Sequence, residues 1–170
     1  MARKLIICCV LLVSPCYSVL GSTPDFTGSW VMDRARSFGL PGNMEQTMIV
    51  RQSADQIEVE TRLIQPNNER TQKDIYILDG KEHEYTPPTP PNAPAGTPPP
   101  KAKRSVTWMP NGNGLIVTEI TTTETPKGPA TTQVVKKWTF TAEGELTIAT
   151  FVDSPTVSYE AKRIFLRKKA

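Results

Sequence analysis

The sequence predicts an all-β fold, an antiparallel up-and-down β-barrel of about eight to ten strands with one long proline-rich loop. The clearest observation is strict alternation, in which Ile57, Val59, Thr61 and Leu63 share one face and charged residues share the other. Such alternation with β-branched residues is typical of a half-buried antiparallel strand. In addition, short turns separate similar segments along the chain, and no segment shows a convincing helical pattern.

Turn signals mark the ends of the predicted strands. Clusters of Asn, Asp, Pro and Gly lie between the β-branched segments. Asp79-Gly80 predicts a tight hairpin, because Gly accepts the positive φ that such a turn requires. In chain order, the predicted strands cover residues 26–34, 47–52, 57–63, 70–78 and 81–86, a segment that begins at 106, and residues 115–123, 131–141, 146–152 and 157–167.

Neighbouring strands joined by tight turns form a meander, and an open meander leaves two unpaired edges. Closure into a barrel removes both edges completely, and for this reason we predict a barrel. A β-sandwich is the alternative that the same strand pattern allows.

Residues 87–104 interrupt this pattern. Eight of the sixteen prolines fall within residues 87–100, and a basic run, 101–104, follows. Proline lacks the backbone N–H donor and fixes φ, so the segment is predicted as a loop outside the sheet. It is either a solvated insertion or a docking arm. Because neither half of the chain alone has enough strands to close, we expect one domain over residues 22–170.

The first 21 residues have the pattern of a secretory signal peptide. Two basic residues precede nine apolar residues, 5–13, and small residues follow. Nine residues are too few for a transmembrane helix, which needs about 20. We expect cleavage after Gly21, with cleavage after Ser18 as the alternative. The mature protein is then secreted, or exported to the periplasm, by a bacterium.

Cysteine usage follows from this cleavage. Cys16 lies where bacterial lipoproteins carry their lipid-modified cysteine. Those signals have a small residue immediately before the cysteine, whereas this chain has Pro15, so we expect no lipid anchor. Cys8, Cys9 and Cys16 all lie in the leader. The mature chain therefore has no cysteine for a disulfide, for redox chemistry or for a thiolate metal site.

The charge of the mature chain argues against a polyanionic partner. The whole chain has 20 Lys plus Arg and 17 Asp plus Glu, and loss of Arg3 and Lys4 leaves 18 − 17 = +1. A net charge near zero gives no strong field, so we expect no nucleic-acid partner. We also expect a monomer without a transmembrane helix.

Candidate catalytic groups are few. His83 is the only histidine and lies between Glu82 and Glu84 in a polar segment, where a surface position is expected. The sequence has no Gly-x-Ser-x-Gly motif, phosphate loop or dinucleotide fingerprint. Glu58 and Glu60 share the polar face of one strand, which solvation explains. We therefore expect no enzyme activity, no catalytic residue, no metal and no cofactor.

The inward face of the predicted barrel carries the remaining functional signal. Its apolar residues either fill a closed core or line a cavity for a small apolar or amphipathic molecule, and the sequence leaves both alternatives open. The residues expected to line such a cavity are Met48, Ile57, Val59, Ile75, Trp108, Val117, Trp138 and Phe140.

The motif Gly28-x-Trp30, preceded by Phe26, resembles the first strand of secreted bacterial lipocalin-like proteins, which are calycin-type β-barrels. The order of the later strands is similar as well. The resemblance implies that Trp30 closes one end of the barrel. It also implies that an arginine of the last strand, Arg163 or Arg167, packs over the Trp30 ring as a cation–π pair.

Two functional hypotheses follow. In the first, the protein is an exported, non-enzymatic binding protein that holds a small apolar or amphipathic ligand inside the barrel. In the alternative, the barrel is filled, and the protein is a cell-envelope interaction module whose partner docks on residues 87–104.

Overall fold

The computed structural model describes residues 23–39, 44–66, 68–87, 100–125 and 128–168, and these ranges contain strands and no helix. Residues 1–22, which contain the predicted leader, and residues 88–99 of the proline-rich segment lie outside the described residues. The strands are β1 (Gly28–Phe38), β2 (Glu45–Gln52), β3 (Gln56–Gln65), β4 (Asn68–Ile77), β5 (His83–Glu84), β6 (Lys101–Trp108), β7 (Gly114–Thr125), β8 (Gly128–Phe140), β9 (Leu146–Asp153) and β10 (Ser158–Arg167).

All ten strands belong to one antiparallel sheet in the order β4-β3-β2-β1-β10-β9-β8-β7-β6-β5. The first strand pairs with the last, with Met32 opposite Phe165, and this pairing curls the meander into a nearly closed barrel. The prediction of an all-β, antiparallel up-and-down barrel is confirmed. The sheet remains open between β4 and the β5–β6 pair, along a line that we call the seam.

The hairpin predicted at Asp79-Gly80 is wrong, and the seam lies there instead. Gly80 does adopt a positive φ, but the return strand is reduced to the two residues of β5, which pair with β6 and not with β4. The Asp79 carboxylate accepts a hydrogen bond from the Lys81 backbone N–H and lies 2.9 Å from His83 Nε2. These local bonds hold the chain in a bend that leads away from β4.

The basic run 101–104 was predicted as the end of the loop, but β6 already begins at Lys101. Ala102 and Arg104 are buried, whereas Lys101 and Lys103 are exposed, which is the alternation of a strand with one face inside. The prediction failed because it assigned the charged residues to solvent, while the barrel buries Arg104. β1 likewise continues past its predicted end.

Antiparallel pairing gives the barrel two different ends. At one end β1 begins and β10 ends, and the short turns after β2, β6 and β8 lie beside them. We call this the closed end, because aromatic rings fill it. Phe26, just before β1, is fully buried, and its ring centroid lies 6.4 Å from that of Trp108, 5.7 Å from that of Trp138 and 5.0 Å from that of Phe140. The opposite end is called the open end.

Trp30 and Arg167 seal the closed end. The Arg167 guanidinium lies 4.4 Å from the Trp30 ring centroid and donates from Nη1 to the Thr27 carbonyl oxygen at 2.7 Å. The Trp30 indole N–H donates to the Phe26 carbonyl oxygen at 3.0 Å. Gly28 has a φ of +152°, and a Cβ there would lie 2.5 Å from Arg167 Nη1, so a glycine is needed for the guanidinium to reach the ring.

Replacement of this cation is expected to destabilise the barrel. Arg167→Ala removes a cation–π contact and a hydrogen bond to a backbone carbonyl, and we expect the free energy of unfolding to fall by about 1–3 kcal/mol. Urea unfolding followed by tryptophan fluorescence measures the change. Arg51→Ala removes an exposed arginine from β2 and is the matched control, with an expected change within about 0.5 kcal/mol. Equal effects of the two substitutions would show that Arg167 has no sealing role.

Candidate functional site

Four charged side chains form a network inside the barrel, above the aromatic closed end. Arg104 on β6 donates from Nε to Glu119 Oε1 on β7 at 2.9 Å, and its Nη2 lies 2.8 Å from the same oxygen. Lys136 on β8 donates to Glu119 Oε2 at 2.9 Å. Arg104 Nη2 also donates to Asp74 Oδ1 on β4 at 2.8 Å. Two cations and two carboxylates thus balance across four strands.

The alternation of each strand places these residues in the interior. On β7, Leu115, Val117 and Glu119 occupy successive inward positions, and all three are buried. On β6, Arg104 lies in the same inward row as Val106. On β8, Lys136 lies in the same inward row as Trp138. On each of these strands the inward row therefore changes from apolar to charged with distance from the closed end.

Arg104 also spans the seam. Besides its bond to Asp74, its Nη1 donates to the Ile75 backbone carbonyl on β4 at 3.2 Å. The rings of Tyr76 and Tyr85 lie against the guanidinium, with centroids 4.6 and 4.1 Å from its Cζ. One side chain thereby supplies contacts between β6 and β4 where no backbone ladder is formed.

The network keeps its cations charged. Desolvation by burial opposes the charged form of Arg104 and of Lys136, but attraction to Glu119 and the hydrogen bonds to carboxylates favour it, and both pKa values are raised. Burial raises the pKa of Tyr76, which stays a neutral phenol at neutral pH. Both cations of the network therefore stay charged at neutral pH.

A cavity of about 130 Å³ adjoins the network in the barrel interior. Apolar and polar side chains line it together, among them Trp138, Lys136 and Arg163. Its volume is below the roughly 300–1,000 Å³ of sites that enclose a drug-sized ligand. A second depression of about 370 Å³ follows the outside of the seam, where Ile75, Ile77 and Tyr85 contribute to its wall.

Most residues predicted to line a ligand cavity belong instead to the packed core. Met48, Ile57, Val59, Val117 and Trp138 are buried in one cluster, against which Trp108 and Phe140 pack while partly exposed. Of the eight, the structure places three in the wall of the small cavity, namely Met48, Val59 and Trp138.

The expectation for Ile75 is wrong. Its side chain lies on the outer surface of β4 and is 55% exposed, while its neighbour Tyr76 is 3% exposed and faces the core. The prediction assigned the isoleucines of β4 to the inner row because they are apolar. Tyr76 takes that row because its ring packs edge-on against Trp138, with the ring centroids 5.8 Å apart, and over Arg104.

The sequence interpretation missed the charged network and placed Arg163 elsewhere. Arg163 was a candidate for the contact with Trp30, which Arg167 makes; instead it lines the interior cavity. A signal for the network does exist in the sequence, because Arg104, Glu119 and Lys136 each occupy an inward position of a strand whose inward residues nearer the closed end are apolar.

The other polar candidates remain at the surface. His83 Nε2 lies 2.9 Å from Asp79, and both side chains are more than one-third exposed. The described ranges hold no group of three or more His, Cys, Asp or Glu residues arranged to bind a metal ion. Among the same residues, none forms a helix with the length and hydropathy needed to cross a membrane.

No family model matches the sequence, and no curated protein matches it. Among solved structures, the chain is similar to the crystal structure of secretory abundant heat soluble protein 4 from Ramazzottius varieornatus, with a TM-score of 0.46 and 15% sequence identity. The match covers 84% of this chain and 94% of that chain. The strand order and register of the chain itself define the barrel.

Replacement of Arg104 is expected to destabilise the folded barrel strongly. Arg104→Met leaves the buried Glu119 and the partly buried Asp74 without their shared cation, so the free energy of unfolding should fall by about 3–5 kcal/mol in urea unfolding experiments. Lys103→Met is the matched control, because Lys103 is the next residue on β6 and makes a surface ion pair with Glu82 at 3.1 Å. Its loss should cost less than about 1 kcal/mol. If both substitutions cost the same, the buried network does not stabilise the barrel.

Proposed function

We propose that the protein is an exported bacterial binding protein, without enzyme activity, that holds a small amphipathic molecule in the open half of its barrel. Export is supported by the leader pattern of residues 1–21. The binding proposal rests on one observation, namely that the barrel interior is apolar at the closed end and mixed polar and apolar towards the open end.

The interior changes character along the barrel axis. At the closed end, aromatic and aliphatic side chains pack into one buried cluster. Beyond the charged network, the inward positions Thr121, Thr132, Val134 and Val152 are only partly buried. These side chains present methyl groups together with hydroxyls. An amphipathic molecule matches this half, with its apolar part against the methyl groups and its polar end towards the charged floor.

The same network supports a binding role over a catalytic one. Glu119 accepts hydrogen bonds from Arg104 and from Lys136, and Asp74 accepts them from Arg104 and from Gln72. Both carboxylates are thereby engaged with donors. Proton transfer needs a group that is free to reach the substrate. Fixed, mutually paired charges instead orient a ligand that is not changed.

A second candidate function is an interaction module, and one observation favours it. A groove of about 610 Å³ lies on the outside of the barrel, where the proline-rich segment joins the sheet, with Tyr85, Pro100, Lys101 and Lys103 in its wall. Under this alternative, deletion of residues 88–99 abolishes co-purification of an envelope partner and leaves the melting temperature unchanged. Unchanged co-purification after the deletion would exclude the arm as the docking site.

Titration with dodecanoate and with dodecan-1-ol tests the main proposal. Trp138 lines the interior cavity, so at least one of these two amphiphiles should give a saturable change in tryptophan fluorescence with one site per chain. Val134→Phe places a ring in the open half of the barrel and should weaken that binding at least about tenfold, which corresponds to about 1.4 kcal/mol.

Val135→Phe is the matched control. Val135 is the next residue on β8 and lies on the outer row, opposite Phe151 on β9. Its substitution should leave the dissociation constant within about twofold of the unmodified protein, well under 1 kcal/mol. Equal weakening by the two substitutions, or no saturable signal with either amphiphile, would contradict binding inside the barrel.

A further inference from the structure

The wall of the interior cavity contains polar atoms that no other group satisfies. Among the described residues, four buried side-chain atoms have no hydrogen-bond partner: Gln46 Oε1, Trp138 Nε1, Thr150 Oγ1 and Arg163 Nε. Three of these residues line the cavity, and Thr150 is opposite Lys136 in the β8–β9 ladder, next to that wall. Buried polar atoms are nearly always partnered, so four orphans at one cavity indicate partners that come from outside the chain.

The orphaned groups are strongly buried and mostly donors. Gln46 is 6%, Trp138 2% and Thr150 8% exposed. The Trp138 and Arg163 atoms are N–H donors, and the Thr150 hydroxyl can donate as well. Gln46 can also present its amide N–H₂ group, because a half-turn of the side-chain amide exchanges the positions of its oxygen and its nitrogen. The cavity therefore offers hydrogen bonds to an acceptor-rich group.

The charges around the cavity do not balance. Glu119 is paired with Arg104 and Lys136, and Asp74 is paired with Arg104. Among the described residues, Arg163 has no carboxylate within ion-pair distance, and burial lowers its pKa. A guanidinium nevertheless stays charged at neutral pH. Three cations against two carboxylates leave one positive charge without compensation.

The geometry points to this cavity as the binding site for the carboxylate end of the amphipathic ligand, an inference that rests on the proposed function. Arg163 supplies the opposite charge, while Trp138 Nε1, Thr150 Oγ1 and the Gln46 amide supply hydrogen bonds. A single negative charge cancels the local excess, whereas a phosphate monoester carries about two. The volume of about 130 Å³ suits a head group, and the rest of the ligand extends towards the open end.

Comparison of dodecanoate with dodecan-1-ol tests the inference, because the two differ in the head group and share the alkyl chain. The unmodified protein should bind dodecanoate at least about tenfold more tightly than the alcohol, as expected when charge-assisted hydrogen bonds are formed. Arg163→Gln should abolish this preference and leave alcohol binding within about twofold. Lys162→Gln, on the neighbouring outward position of β10, should retain it.

A second, milder substitution keeps the test independent of folding. Thr150→Val is nearly isosteric and removes one hydroxyl donor, so it should weaken dodecanoate binding about threefold or more without changing alcohol binding. Near-ultraviolet circular dichroism of each variant checks that the barrel is intact.

The outcomes separate the two proposals. If the unmodified protein binds the two amphiphiles equally and Arg163→Gln changes neither, the carboxylate site is wrong while binding in the barrel stands. If neither amphiphile binds, the proposed function fails, and the carboxylate site fails with it. A carboxylate preference that survives both Arg163→Gln and Thr150→Val would place the anion elsewhere and overturn this assignment.

Discussion

The Arg104 guanidinium lies where the ten-stranded sheet fails to close, and the shape of the barrel depends on its contacts. β4 presents an unpaired backbone edge to the seam, and Arg104 bonds to that edge through the Ile75 carbonyl and the Asp74 carboxylate. Its five N–H donors allow it to reach acceptors on two strands at once. Because Glu119 and Lys136 complete the charge balance, removal of one member leaves another buried charge unpaired. The same charges border the open half of the barrel on its inner side, so one network both bridges the seam and forms part of the candidate site.

Much of the fold could be predicted from the sequence, because a strand with one buried face shows it at every second residue. The strand order and the first-to-last pairing follow from tight turns and from the cost of free edges. The seam could not be predicted. Asp79-Gly80 has the residues of a hairpin turn, but the local bonds to Lys81 and His83 hold the chain in a bend that leads away from β4.

The candidate site was less predictable, for a physical reason. Charged residues on an inward row, such as Glu119 and Arg104, are recognisable as exceptions to the alternation. Which opposite charge neutralises each of them depends on the side chains that meet across the curved sheet. The ion pair of Arg104 with Asp74, on the far side of the seam, joins residues far apart in sequence and leaves no pattern in either strand. For the same reason, the sequence could not decide which of Arg163 and Arg167 reaches Trp30.

The width of the seam is the quantity that tests closure by Arg104 most directly. Ile75 on β4 and Thr107 on β6 are exposed on the two sides of the seam, and residues 22–170 contain no cysteine, so Ile75→Cys and Thr107→Cys accept one pair of nitroxide labels. Pulsed electron paramagnetic resonance should give one narrow distance distribution for this labelled protein. Addition of Arg104→Gln should broaden the distribution and shift it to longer distances. An unchanged, narrow distribution in the Arg104→Gln protein would contradict closure of the barrel by this side chain.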